Sequence, residues 1–433
     1  MTGFWLRNGR AHRAVMDGLR APADRDGFLR LDLRIEDGKI AALAPLGTAP
    51  EGQDLRGGIL FPGFVDAHTH LDKGHIWPRA RNADGSFLGA LTAVMADRGG
   101  HWGAADMAAR ADFALRCALA HGTVAIRTHL DTDADHAAVT WGMFSRLRDA
   151  WAGRIALQAS SIAPLDQFVG DGGTMIADTV VRHGGILGMV VRLAGDVHAK
   201  MPAGFQPMLE RFFALAEDRG LDLDLHVDES GESGARALGE IARTALRRGF
   251  KGRIQCGHCC ALAIQPEAFA RETIAAVADA GIAIVVLPMC NMYLQDRVAG
   301  RTPRWRGVTL VHELAQAGVP VSLASDNTRD PFYAYGDLDM LEVLRESTRI
   351  LHLDHPTGAW PAAVCRTPAE ACGFDSGVLR VGATADLVLT RARMATELLS
   401  RPWHDRVVLR AGRVLEAAVP DYAELDGITG FSG

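Results

Sequence analysis

Eight short β-type runs recur between residues 59 and 327, and helical patterns separate most of them. The runs are ILFPGFVDAHTH (59–70), TVAIRTHLD (123–131), RIALQASSI (154–162), GGILGMVVR (184–192), LDLDLHVDE (221–229), RIQCGHC (253–259), IAIVVLPMC (282–290) and PVSLASDN (320–327). AADMAARADFALRCALAHG (104–122) and GARALGEIARTALRRGF (234–250) place apolar residues three to four apart and run out at a glycine. Strand followed by helix, eight times over, predicts an α/β fold of the TIM-barrel type, (β/α)8. A doubly wound open sheet is the other arrangement such units can adopt.

The chain ends read differently. WLRNGRA and LDLRIEDGKIAALAP lie within residues 1–58, and GVLRVGATADLVLT and DRVVLRAGRVL within 378–433. These strand-like runs with turn glycines predict a small β-sandwich domain built from both termini, with a catalytic barrel domain over 59–377. The final DGITGFSG reads as a loose tail.

The 433 residues suffice for one large domain and a smaller one. A hydrophobic share of 48% and a charged share of 23% are those of an ordinary globular protein. The net charge of −6 implies no large basic surface, which argues against nucleic acid as a partner. No run of 18 or more apolar residues is present, so no membrane span is expected. MTGFWLRNGR lacks the apolar core of a signal peptide, and a cytoplasmic location is expected. Seven cysteines form an odd count that argues against a disulfide framework. CGHCC (256–260) has no second cysteine pair to complete a structural zinc site, so these read as buried, reduced thiols.

In barrels of this kind functional groups gather at the C-terminal ends of the strands. In the first run Val65, Ala67 and Thr69 point one way from an extended chain, and Asp66, His68 and His70 the other. Two imidazoles on one face at a strand end can reach one metal ion. Run five ends with His226 and then Glu229, run six near His258, and run eight with Asp326 and Asn327. Three histidines and one carboxylate suit a divalent metal with nitrogen and oxygen ligands, leaving Glu229 and His258 for proton transfer. Taken singly, each has a plainer explanation: a hydrogen-bonded core histidine, or a helix cap in SDN. Their joint appearance at four strand ends is what points to a site.

PGFVDAHTHLDK, HVDE, GHCC, PMCNMYLQDR and ASDNTRDPFYAYG, in this order, resemble the amidohydrolase superfamily and within it the cytosine deaminase group. GVLRVGATADLVL is similar to the stretch by which these enzymes re-enter their small β-domain. The resemblance covers most of the chain. It implies that His68, His70, His226 and Asp326 hold one divalent metal ion, zinc or iron. Many members hold two metals bridged by a carboxylated lysine on strand four, but GGILGMVVRL has no lysine, and Lys200 lies beyond its end. Single-metal members are commonly deaminases.

The implied reaction is hydrolysis of a C–NH2 group on a nitrogen heterocycle with release of ammonia. Glu229 would protonate the ring nitrogen, Asp326 would carry the water proton to the leaving amine, and His258 would orient the hydroxide. The H-x-E…P-C-x-x-C pattern of the cysteine-rich zinc deaminases is absent. Lys73, Asn291 and Gln295 are candidate substrate contacts, and Phe332 with Tyr333 could cover a flat ring. Two positions depart from the group. Gln167, a candidate substrate contact like Asn327, lies near the place where the group has a glutamine after strand three, without an aligned match there. Asn327 stands where a second acid is common, and its amide both donates and accepts. Cytosine, isocytosine, a triazine or a bicycle such as a pterin therefore all stay open as the small-molecule substrate. So does a sister reaction on a cyclic amide or an N-alkylamine. A scaffold that has lost catalysis would have broken ligand positions, and here all four are intact. Homo-oligomers are common among relatives.

Overall fold

The architecture is that of a computed structural model, which describes residues 3–197 and 200–431. The first five strands are β1 (Phe4–His12), β2 (Phe28–Glu36), β3 (Lys39–Pro45), β4 (Gln53–Asp54) and β5 (Leu60–Pro62). Eight more carry the βα repeat: β6 (Phe64–Thr69), β7 (Thr123–Asp131), β8 (Ala156–Ile162), β9 (Leu187–Val190), β10 (Leu223–Val227), β11 (Ile254–His258), β12 (Ala283–Val286) and β13 (Val321–Leu323). The last three are β14 (Leu387–Leu389), β15 (Val407–Arg410) and β16 (Arg413–Val414).

The repeat strands pair in chain order. One sheet runs β6-β7-β8 and another β9-β10-β11-β12-β13, with every pairing in the second parallel. Two further parallel bridges join their edges: Ser160 to Ile186, and Thr69 to Asp326. With both bridges in place, the eight strands close on themselves. Closure removes the open edges that a doubly wound sheet would keep.

Each of the eight expected runs contains a strand, with shifted limits. ILFPGFVDAHTH splits in two, because Leu60–Pro62 pairs antiparallel with β14 while Phe64–Thr69 joins β7. Gly63 marks the break. A Cβ there would lie 2.3 Å from Val124 Cγ1, so only glycine lets the chain pass. IAIVVLPMC stops at Val286, and Pro288–Leu294 is helical with the proline in its first turn, where a missing N–H costs nothing.

The helices follow their apolar spacing. Ala237–Arg248 buries Leu238, Ile241, Ala242 and Ala245 and ends at Gly249, a left-handed residue whose N–H donates to Ala245 and Leu246. Phe205–Glu217 buries Leu209, Phe212, Phe213 and Ala216. The Phe212 ring meets Phe168 edge-on at 4.9 Å, and Phe213 meets Phe250 at 5.3 Å. Asp228 fixes the approach to the Ala237 helix, accepting from the N–H groups of Ala237 and Leu238 at 3.0 Å each.

The terminal strands form two four-stranded sheets, β3-β2-β1-β4 and β16-β15-β14-β5. Asp37 and Gly38, both at positive φ, make the two-residue turn between β2 and β3, the Asp-Gly hairpin that LDLRIEDGKIAALAP announces. Bridges from Arg10 to Ile59 and from Lys39 to Thr384 connect the two sheets.

By contacts the chain divides into two compact units, 1–66 with 116–126 and 338–420, and 67–115 with 127–337 and 421–433. Of the segment read as a loose tail, Asp426–Thr429 is a short helix with Thr429 buried, and residues 432–433 lie outside the described residues. Among the described residues, no helix is long and apolar enough to cross a membrane. All seven cysteines are free and buried.

Phe212→Ala removes a fully buried ring from the helix layer and should lower unfolding stability by about 3–5 kcal/mol. Urea unfolding followed by tryptophan fluorescence measures it.

Candidate metal and catalytic site

Six of the residues singled out by their strand ends are brought together within one compact unit: His68, His70, His226, Glu229, His258 and Asp326. His68 sits on β6, and His70 follows it directly. Asp326 follows β13 and is tied to β6, its N–H donating to the His68 carbonyl at 2.9 Å. Asp326 and His258 both adopt left-handed backbone, at φ 64° and 68°. Such residues cost about 1–3 kcal/mol and persist where the surroundings hold them.

Four side-chain atoms converge. His68 Nε2 lies 3.1 Å from His226 Nε2, and His226 Nε2 lies 3.3 Å from His70 Nε2. Asp326 Oδ1 lies 3.5 Å from His68 Nε2 and 3.3 Å from His70 Nε2. A tetrahedral ion with ligands about 2.1 Å away places those ligands about 3.4 Å apart. Those four separations match the ligand spacing of a divalent metal, and His129 offers a fourth imidazole nitrogen within 4.8 Å of those of His68, His70 and His226. Burial pulls the pKa of all three imidazoles well below the ordinary value, keeping them in the neutral form that ligates.

A buried polar layer lies beneath. The His129 ring is 4.0 Å from that of His68, centroid to centroid, and its Nε2 is 3.1 Å from Asp224 Oδ1. Asp224 Oδ2 accepts from Arg127 Nη1 and from Gln255 Nε2, each at 2.9 Å. His129 and Asp224 were not among the residues singled out above. Their signal was present in RTHLD and DLDLH, where each sits at an inward position of a run already read as a strand. Gly257 on β11 faces the same cage. A Cβ there would approach His68 Cε1 to 3.1 Å and Nδ1 to 3.2 Å.

Glu229 and His258 form the second part of the site. His258 Nδ1 is 3.5 Å from Glu229 Oε1 and accepts from Asn291 Nδ2 at 2.9 Å. An amide nitrogen can only donate, so the neutral ring keeps its proton on Nε2. Gln295 Nε2 donates to the Glu229 carbonyl at 3.4 Å, and Asn291 Nδ2 also reaches Glu229 Oε1 at 3.5 Å. Asn291 and Gln295, expected at the substrate, therefore contact the Glu229–His258 pair. Burial, then the charge of Asp326, pushes the Glu229 carboxyl well above the usual carboxylate range, with Arg192 opposing.

A cavity opens over these groups and is lined by His70, His226, Glu229, His258 and Asp326. Lys73, Gln167, Asn327 and Phe332 share its wall. Lys73 Nζ donates to Asp131 at 2.8 Å and lies 5.9 Å above the Phe332 ring. Burial works against its ammonium, but Asp131 and Asp72 outweigh it and raise its pKa. Asn327 turns its Nδ2 to Asp330 Oδ2 at 2.7 Å. Phe332 packs edge-on against Phe87, another wall residue, at 5.4 Å. Tyr333 packs edge-on against Tyr293 and Tyr335.

Residues 166–415 match the model of the Amidohydrolase family. A pterin deaminase of Rhizobium rhizogenes is 51% identical over 432 residues, covering 99% of this chain and 97% of its own. The structure of a 5-methylcytosine deaminase from Klebsiella pneumoniae liganded with 5-fluorocytosine superimposes with a TM-score of 0.81 at 22% identity, covering 96% of this chain and 98% of that one. An N-isopropylammelide isopropylaminohydrolase structure from Burkholderia multivorans gives a TM-score of 0.74 at 28% identity over the same shares, 96% and 98%.

Gly257→Ala should push the His68 ring off its position and weaken divalent-ion affinity about 10–100-fold, the usual effect of disturbing a ligand's support. Competition with a chromophoric chelator reads this directly, without any assay of catalysis.

Proposed function

We propose, from the premise that this chain belongs to the amidohydrolase family, that it is a metal-dependent deaminase releasing ammonia from an amino-substituted nitrogen heterocycle. A pterin-type bicycle is the first choice of ring, because the relative that is 51% identical along nearly the whole chain is a pterin deaminase. The observation that carries the chemistry is Glu229, a buried carboxyl with a raised pKa, sharing one cavity with His70, His226 and Asp326 of the metal-ligand set.

One ion, zinc or iron, held by His68, His70, His226 and Asp326 would acidify a water enough to make it a nucleophile near neutral pH. Attack at the amine-bearing carbon breaks the ring's aromaticity, so the neighbouring ring nitrogen must gain a proton. Glu229 donates it, being protonated where an exposed carboxyl would be ionised. Asp326 accepts the proton of the attacking water and returns it to the leaving amine. His258 donates from Nε2 toward the attacking oxygen, while Asn291 and Gln295 hold the pair in register. Lys73, Gln167, Asn327 and Phe332 form the wall that meets the ring.

We assign catalysis to a (β/α)8 domain over 59–377. The segments 1–58 and 378–433 form a small β-sandwich, a reading supported by the two bridged four-stranded sheets. Seven free thiols suit the reducing cytoplasm. A second reaction on the same site, release of an N-alkylamine, is favoured by the resemblance to the isopropylaminohydrolase. The product separates the two.

Ammonia release from a panel of amino-substituted pterins, pyrimidines and triazines, with metal content measured alongside, is the test. Ammonia from one ring class bears the proposal out. An alkylamine product, or none, overturns it. Glu229→Gln should lower kcat about 10²–10⁴-fold with metal content unchanged. For the wild type, kcat/KM should fall as pH rises through the raised Glu229 pKa, because the acid form is the active one. Glu229→Gln cannot titrate there and should lose that limb of the profile.

A further inference from the structure

Arg192 is the one Lys or Arg of the catalytic cavity wall, among the described residues, that forms no ion pair. It follows β9, and its stem is fixed: its N–H donates to the Val190 carbonyl at 2.8 Å, and its carbonyl accepts from Leu165 at 3.0 Å. The guanidinium uses Nη1 on the Leu193 carbonyl at 3.3 Å, while Nε is buried without a hydrogen-bond partner. The other two wall cations are paired. Lys73 holds Asp131, and Arg98 holds Asp131 at 3.2 Å and Asp133 at 2.9 Å. Burial pulls the Arg192 pKa below the arginine value, and Asp131, Glu229, Asp166 and Asp196 oppose this without forming an ion pair with it.

A guanidinium whose Nε is buried without a partner is costly unless a ligand completes it, and its planar fork matches a carboxylate or a ring oxyanion. We infer that Arg192 is the specificity-determining residue of this cavity and that the substrate ring carries an anionic oxygen, which pairs with it. The inference rests on the deaminase reading for its ring, not for its charge. The amine end of the substrate meets Glu229, and the anionic end meets Arg192. The two sources of such an oxygen are a deprotonated ring lactam and a carboxylate borne on the ring.

The test uses the metal-loaded enzyme, Arg192→Gln and Arg192→Lys, with metal content confirming that each variant is folded. Pterin and pterin bearing a carboxylate at C6 are titrated by their own fluorescence, and ammonia release is followed in parallel. Arg192→Gln should weaken binding of the carboxylated ring at least tenfold, and Arg192→Lys should recover part of the loss. A loss confined to the carboxylated ring assigns the pendant carboxylate, and an equal loss on both assigns the ring oxyanion. Unchanged dissociation constants in Arg192→Gln, or no saturable binding of either ring to the wild type, overturn the inference. Arg192-dependent binding without ammonia would overturn the deaminase reading and leave the anion contact standing.

Discussion

The hydrogen bond from the Asp326 N–H to the His68 carbonyl, 2.9 Å long, is the seam on which the site depends. It belongs to the Thr69–Asp326 bridge that ties the eighth strand of the repeat to the first. Residues far apart in the chain become neighbours there. One carboxylate oxygen then lies within 3.5 Å of two imidazoles that its own sequence neighbourhood could never supply. His226 completes the set from β10, diametrically removed along the repeat, so the ring of strands must be closed before the four ligand atoms can meet. The left-handed backbone at Asp326 is held in place at that seam.

Beneath the cage, the Asp224 carboxylate is shared among His129, Arg127 and Gln255. Burying one charged carboxylate under three imidazoles would be costly by itself. The Arg127 guanidinium offsets it, and Gln158 accepts from that guanidinium in turn at 2.9 Å. The layer gives the His68 ring a fixed floor, and Gly257 leaves it lateral room. Position here comes from packing as much as from ligation.

The repeat was legible because strand and helix periods differ so plainly, and because runs such as LDLDLHVDE end in groups with obvious chemistry. The ligand histidines and Asp326 were legible for the same reason: they stand at strand ends, where backbone geometry alone dictates where a side chain points. What escaped depends on loops and on distance. Asn291 and Gln295 fall in and just after a helix whose rotation no periodicity announces, and they turn toward His258 and Glu229. The split at Gly63 depends on Val124, a residue on another strand. Arg192 closes a run noted mainly for its missing lysine, and its significance lies in what does not pair with it, a property invisible until every neighbouring carboxylate has been placed.

The division of labour between strands and connecting segments has an evolutionary side. The cage is anchored in strands or in residues adjoining them, where a substitution disturbs the closed ring itself. Gln167 and Arg192 lie after β8 and β9, on segments clipped together by the Leu165–Arg192 hydrogen bond. A lineage can rewrite those two short segments, and so exchange one ring for another, while leaving the reaction chemistry untouched. Related proteins with this architecture can accordingly diverge in diet long before they diverge in mechanism.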